Sequence, residues 1–95
     1  MNPKTQNELE WLERDRHDPQ YQRVRARLET VLPFDLADYE GQKIKITGYD
    51  REHVPEKFEV RDADAEHCEI TINEWDENLD WLAWHVWCAW LRNCT

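Results

Sequence analysis

Ninety-five residues, 40 % of them apolar, support one modest hydrophobic core, and they predict a single domain spanning residues 1–95. A net charge of −9 argues against direct contact with nucleic acid, and the complete lack of serine removes every mechanism built on a serine nucleophile. The 35 % of charged residues is accompanied by six tryptophans, three tyrosines and two phenylalanines, a composition that folds, unlike that of an aromatic-poor acidic tail.

In chain order, Thr5 and Glu8 form a capping-box pair, and Leu9 and Leu12 follow on one helical face, so a first helix is predicted over residues 5–17. Asp18-Pro19 reads as an N-cap followed by proline at the first helical position. Tyr21, Val24, Leu28, Val31 and Leu32 then recur at helical spacing up to Pro33, giving a second helix over 19–32. Its other face carries Arg23, Arg25 and Arg27, placed either to pair with Glu10, Glu13 or Asp15 of the first helix or to grip a partner. Residues 34–42 read as a connector ending at Gly41.

The period then changes from 3.6 to 2. Ile44 and Ile46, Phe58 and Val60, and Cys68, Ile70 and Ile72 alternate with polar residues, predicting half-buried strands over 43–49, 57–62 and 67–73. Short intervening segments favour an antiparallel meander. A last helix is predicted over 75–93, and the fold class is therefore α+β: two N-terminal helices, a three-stranded sheet and a tryptophan-rich C-terminal helix packed on it.

Charge is distributed unevenly. Between Asp50 and Asp80 twelve acids face Arg51, Lys57 and Arg61, so this segment alone carries −9, and the nine acids and nine bases elsewhere cancel. In a meander, the first turn and the end of the third strand share one edge of the sheet. Asp50, Glu52 and Glu56 are thus expected beside Glu74, Asp76, Glu77 and Asp80, forming a negative patch. Such acids also solubilise a surface and favour a helix start.

Trp81, Trp84, Trp87 and Trp90 are spaced by three, so successive rings rotate by about 60° and fan around the helix. Together with Trp75 they represent on the order of 1,000 Å² of surface, comparable to one partner's share of a standard interface. Large apolar residues are usually buried. One sheet covers only one side of a helix, however, so some rings, with Trp84 and Trp87 foremost, are expected against the N-terminal helices, a second copy of the chain or a foreign partner.

Catalytic and metal patterns are weak. His67, Cys68, His85 and Cys88 could supply zinc ligands, but no Cys-x-x-Cys knuckle is present, and strand alternation turns His67 and Cys68 to opposite faces. Cys88 with His85 as nucleophile and base lacks any other mark of a pocket. The acidic segment lacks the loop spacing of an EF-hand, and two glycines, Gly41 and Gly48, cannot build a phosphate loop. His17 and His53 are expected exposed at a helix end and in a turn. No catalytic residue, metal or cofactor is assigned.

The longest apolar run, from Trp81 to Leu91 and broken by His85, is about half of the roughly 20 residues a membrane span needs. The first residues lack the apolar stretch of a secretory signal, and Cys68, Cys88 and Cys94 are an odd number without framework spacing, so reduced thiols and a cytoplasmic location are expected. In size and composition alone, this short, acidic, serine-free α+β chain resembles the small phage-encoded proteins that block host defence nucleases. That resemblance implies a non-enzymatic, stoichiometric inhibitor, in the manner of a nucleic-acid mimic, seated in the basic groove of a host nucleic-acid-processing protein; it transfers no residue. Alternatives are a homodimer or complex subunit assembled through the tryptophan helix, and a small metal-binding domain or enzyme.

Overall fold

The computed structural model describes residues 6–32, 35–62, 69–72 and 78–94. Its elements are α1 (Gln6–Asp15), α2 (Pro19–Val31), a 3-10 turn (Leu36–Tyr39), β1 (Lys43–Tyr49), β2 (Pro55–Arg61), β3 (Glu69–Thr71) and α3 (Leu79–Cys94). The three strands form one antiparallel sheet and α3 packs against it, the α+β arrangement that the periodicities predict.

Local chemistry sets the helix limits. Asp18 caps α2 by accepting a hydrogen bond from Gln20 N at 2.8 Å, and Pro19 starts the helix where no N–H is needed. Tyr21, Val24 and Leu28, a stripe at helical spacing, are fully buried. Leu32 turns to extended backbone before Pro33, as the residue preceding a proline tends to do. In α1, Leu12 is buried as predicted, whereas Leu9 lies 46 % exposed; the proposed cap at Thr5 falls outside the described residues.

The strand order differs from a meander. β1 lies in the centre, and the sheet runs β2-β1-β3. Ile44 pairs with Val60 on one side and Ile70 on the other, so the most apolar strand is the one flanked twice. β2 ends level with Lys43 on one side of β1, and β3 begins level with Lys45 on the other. Gly41, at φ +85, makes the turn into β1, and its N–H donates to Ile72 O at 2.8 Å.

Ile44, Ile46, Phe58 and Ile72 face the helices and join the core. By alternation Lys43, Lys45, Glu59 and Arg61 occupy the opposite, open face of the sheet. α3 is the hub: it packs against α1, α2 and β3, and buries Trp81, Leu82, Ala83, Trp84, Val86, Trp87, Ala89 and Trp90. A helix apolar nearly all round is thus satisfied from several sides by its own chain. No helix among the described residues is long and apolar enough to cross a membrane.

Candidate functional site

The turn that follows β1 is built by Asp50. Its carboxylate accepts hydrogen bonds from Glu52 N at 2.8 Å and Val54 N at 3.0 Å, while its own N–H donates to Val54 O at 3.0 Å. His53 closes the turn at φ 61 and stands exposed, with its ring edge-on to Tyr49. From α2, Arg23 reaches this turn and pairs with Asp50 and, at 3.2 Å, with Glu52. The Asp50 side chain is left 12 % exposed and that of Glu52 66 %; Glu56 is exposed nearby.

Asp80 sits at the start of α3, where Asn78 Oδ1 accepts from its N–H at 2.8 Å and caps the helix. Its carboxylate takes the Arg25 guanidinium, and Arg16 approaches at 3.8 Å. The Tyr21 hydroxyl donates to the Asp80 carbonyl at 2.9 Å. The hydrogen bond to Asp80 pushes the Arg25 pKa above its ordinary value, and burial, with the Asp80 charge added, pushes the Tyr21 phenol well above its own.

These contacts split the single acidic edge expected from a meander. With β3 paired to β1, its end lies at the beginning of β1, where Thr71 pairs with Lys43 and Ile72 N donates to Gln42 O at 2.8 Å; the Asp50 turn is at the other end. Glu74, Asp76 and Glu77 lie outside the described residues. Arg23 and Arg25 are two residues apart, about 200° around α2, so the Asp50 turn and Asp80 are held on different sides of that helix. Arg23 therefore pairs with the β1–β2 turn and Arg25 with α3, and among the described residues neither pairs with Glu10, Glu13 or Asp15 of α1.

The tryptophan fan divides between the two N-terminal helices. Trp84 faces α1: its indole N–H donates to Asp15 Oδ2 at 2.9 Å and its ring lies against that of Trp11, with centroids 6.4 Å apart and planes 29° from parallel. Trp87 faces α2, edge-on to Tyr21 at 6.1 Å. Trp81 and His85 flank Trp84 at 5.8 and 5.1 Å. Trp84 and Trp87, expected at a partner interface, are 7 % and 6 % exposed, so a fan of this kind needs no second chain to cover it.

What α1 and α3 leave between them is an open groove of about 600 Å³, lined by Trp11, Arg14, Asp15, Trp84, Trp87 and Leu91, with Glu8, His85 and Cys88 completing it. Trp11 is 45 % exposed. Among the described residues Asp15 is the one charged residue that is buried, and its second oxygen accepts from Arg14 Nε at 3.0 Å. That hydrogen bond raises the Arg14 pKa. The buried Trp87 Nε1 has no acceptor among the described residues. The helical spacing of Glu8, Trp11 and Asp15 is the signal that would have located this wall in the sequence.

Among the described residues no three His, Cys, Asp or Glu side chains gather as a metal site. His85 and Cys88 line the groove, while His67 and Cys68 fall outside the described residues. His17 is exposed beside Glu13, at 3.9 Å. Comparison with protein-family models, with curated proteins and with solved structures gives no match.

Proposed function

We propose that this chain is a non-enzymatic acidic binding protein, a stoichiometric inhibitor that occupies the basic groove of a nucleic-acid-processing protein and is directed there by charge. The carrying observation is the concentration of the whole net charge of −9 between Asp50 and Asp80 in a folded chain whose remainder is neutral. A field of that size steers association with a basic surface and competes with phosphates for the same Lys and Arg side chains.

The geometry supports a division of labour among the acids. Asp50 and Asp80 are held by Arg23 and Arg25 within the scaffold, whereas Glu52, which also reaches Arg23 but is 66 % exposed, and Glu56, exposed at the start of β2, stand at a turn braced by hydrogen bonds to and from Asp50. A braced turn presents charge at little ordering cost on binding. Glu74, Asp76 and Glu77 belong to the same segment by sequence.

The test is capture of the tagged chain's partner from nuclease-treated bacterial lysate, release on a salt ramp, and competition between the chain and nucleic acid for the released protein. One basic nucleic-acid enzyme, displaced from nucleic acid at a one-to-one ratio and no longer bound by Glu52→Lys/Glu56→Lys, supports the reading. Undiminished binding by that doubly reversed variant overturns the role of the turn, and a captured protein that binds nucleic acid and this chain simultaneously overturns the inhibitor reading.

A further inference from the structure

We infer that the outer edge of β2 is a self-association surface, on which a second copy of the chain lays its own β2 antiparallel, about a two-fold axis at Phe58. β2 is an edge strand: β1 lies on one side of it, and among the described residues no strand lies on the other. An edge of this kind is a template for a further strand.

The ladder fixes which backbone groups face outward. Ile72 N donates to Gln42 O, so Gln42, and by alternation Ile44, direct their bonds toward β3. Lys43 and Lys45 then bond the other way, to Arg61 and Glu59 of β2. By the same alternation Phe58 and Val60 turn their N–H and C=O groups away from β1, toward the free edge.

Charge selects the occupant. Edge strands commonly carry charges that bar pairing, and β2 has Lys57, Glu59 and Arg61 along its open face. An antiparallel copy centred on Phe58, the middle residue of β2, sets Lys57 opposite the partner's Glu59 and Glu59 opposite the partner's Lys57. In that register the strand is complementary to itself. An axis at Lys57 or Glu59 would set that residue against its own copy, and an axis at Val60 would leave Pro55 to Phe58 without a mate in the partner's β2. Glu59 stands 3.6 Å from Arg61 with 52 % of its side chain exposed, and a carboxylate accepts from more than one donor.

The helix side of this edge has room for the second copy. α2 and the start of β2 leave an open hollow of about 340 Å³, with Ala26, Thr30, Pro55 and Glu56 in its walls. The same register brings the partner's Val60 opposite Glu56, at the mouth of the hollow. Val60 is an apolar side chain that its own core covers in part, and pairing would withdraw more of it from water.

This contact goes beyond the inhibitor reading and needs no foreign partner, so either can fail alone. The test is sedimentation equilibrium of the full chain, with reductant present to exclude disulfide dimers, from micromolar to millimolar concentration at low salt. A reversible monomer–dimer equilibrium is expected, weak because one strand pair buries little area. Lys57→Glu and Glu59→Lys, each creating two like-charge pairs per dimer, should weaken it about ten-fold. The double variant Lys57→Glu/Glu59→Lys restores both pairs with the signs exchanged and should return the dissociation constant to near its original value.

That rescue separates a contact between copies from damage to the strand, which two substitutions would deepen. A monomer at every concentration would overturn the inference, as would a dimer indifferent to both single changes or growth beyond the dimer. A double variant no tighter than the single ones would overturn the register about Phe58.

Discussion

Trp84 Nε1 donates to Asp15 Oδ2 at 2.9 Å, and this bond joins the C-terminal helix to the end of the first helix across most of the chain. It is a side-chain bond between two buried groups, one of them a carboxylate, and it is short of redundancy on both sides. Asp15 keeps only Arg14 when the indole is removed.

Trp84→Phe should therefore destabilise the fold by about 1–3 kcal/mol, the range for depriving a buried acceptor of its donor, with a further loss from the smaller ring. Trp11→Phe, at an exposed position, should cost less than about 1 kcal/mol. Urea titrations of both variants check the order; equal losses would mean that the Trp84–Asp15 bond contributes nothing measurable to stability.

The Asp50 turn makes a different prediction. Asparagine in place of Asp50 retains an oxygen that can accept from Glu52 N and Val54 N and loses only the charge facing Arg23, so Asp50→Asn should cost less than about 1 kcal/mol. Asp50→Ala removes the acceptor as well and should cost roughly 1–3 kcal/mol. If the two variants melt together, the ion pair carries the turn.

His53 adopts φ 61, a conformation that costs a non-glycine residue roughly 1–2 kcal/mol. Replacing it by glycine should raise stability by up to about 1 kcal/mol, the gain being reduced by the lost edge contact with Tyr49 and by the added chain entropy. A lower melting temperature for His53→Gly would show that the ring contact outweighs the backbone strain.

Tyr21 sets a limit at high pH. Burial raises its folded-state pKa above the unfolded value of about 10, so its contribution is fully present below that pH and is lost as pH rises toward the folded value. Tyr21→Phe should lower stability at neutral pH by about 1 kcal/mol, through loss of the hydroxyl bond to Asp80, and should flatten the alkaline decline. Chemical denaturation at a series of pH values above 8 measures both; parallel declines in the two proteins would assign the alkaline sensitivity to other groups.

Much of the fold was legible because each element announces itself over a few residues. Asp18-Pro19 and Pro33 bracket α2, and Ile44 and Ile46, with Phe58 and Val60, show the period of a strand. The strand order was not legible, since hydrophobic alternation assigns a face but not a neighbour. Nothing local distinguishes Ile70 pairing with Ile44 from Ile70 pairing with Val60. Moving β1 to the centre carried the end of β3 away from Asp50, and the expected single acidic edge depended on that placement. The arginines of α2 had been recognised as candidate ion-pair donors, but their acceptors, Asp50 and Asp80, come from distant segments that only packing brings together. Trp11 is obscured in the sequence by the leucine pattern of α1, of which Leu9 is exposed, and Asp15, a candidate partner for the α2 arginines by its charge, instead accepts from Trp84.

The position of α3 as hub has a consequence during synthesis. α1, α2 and β3 all pack on the element that is synthesised last among those described, so a nascent chain holding both N-terminal helices and the β1–β2 hairpin can pack α2 on β2 but leaves the core open on the α3 side. Until Trp81 to Trp90 emerge, Tyr21 lacks Trp87 and Asp80, and the α3 side of the core stays open to water and to other chains. Emergence of α3, and not the completion of any earlier element, is then the step that closes the core.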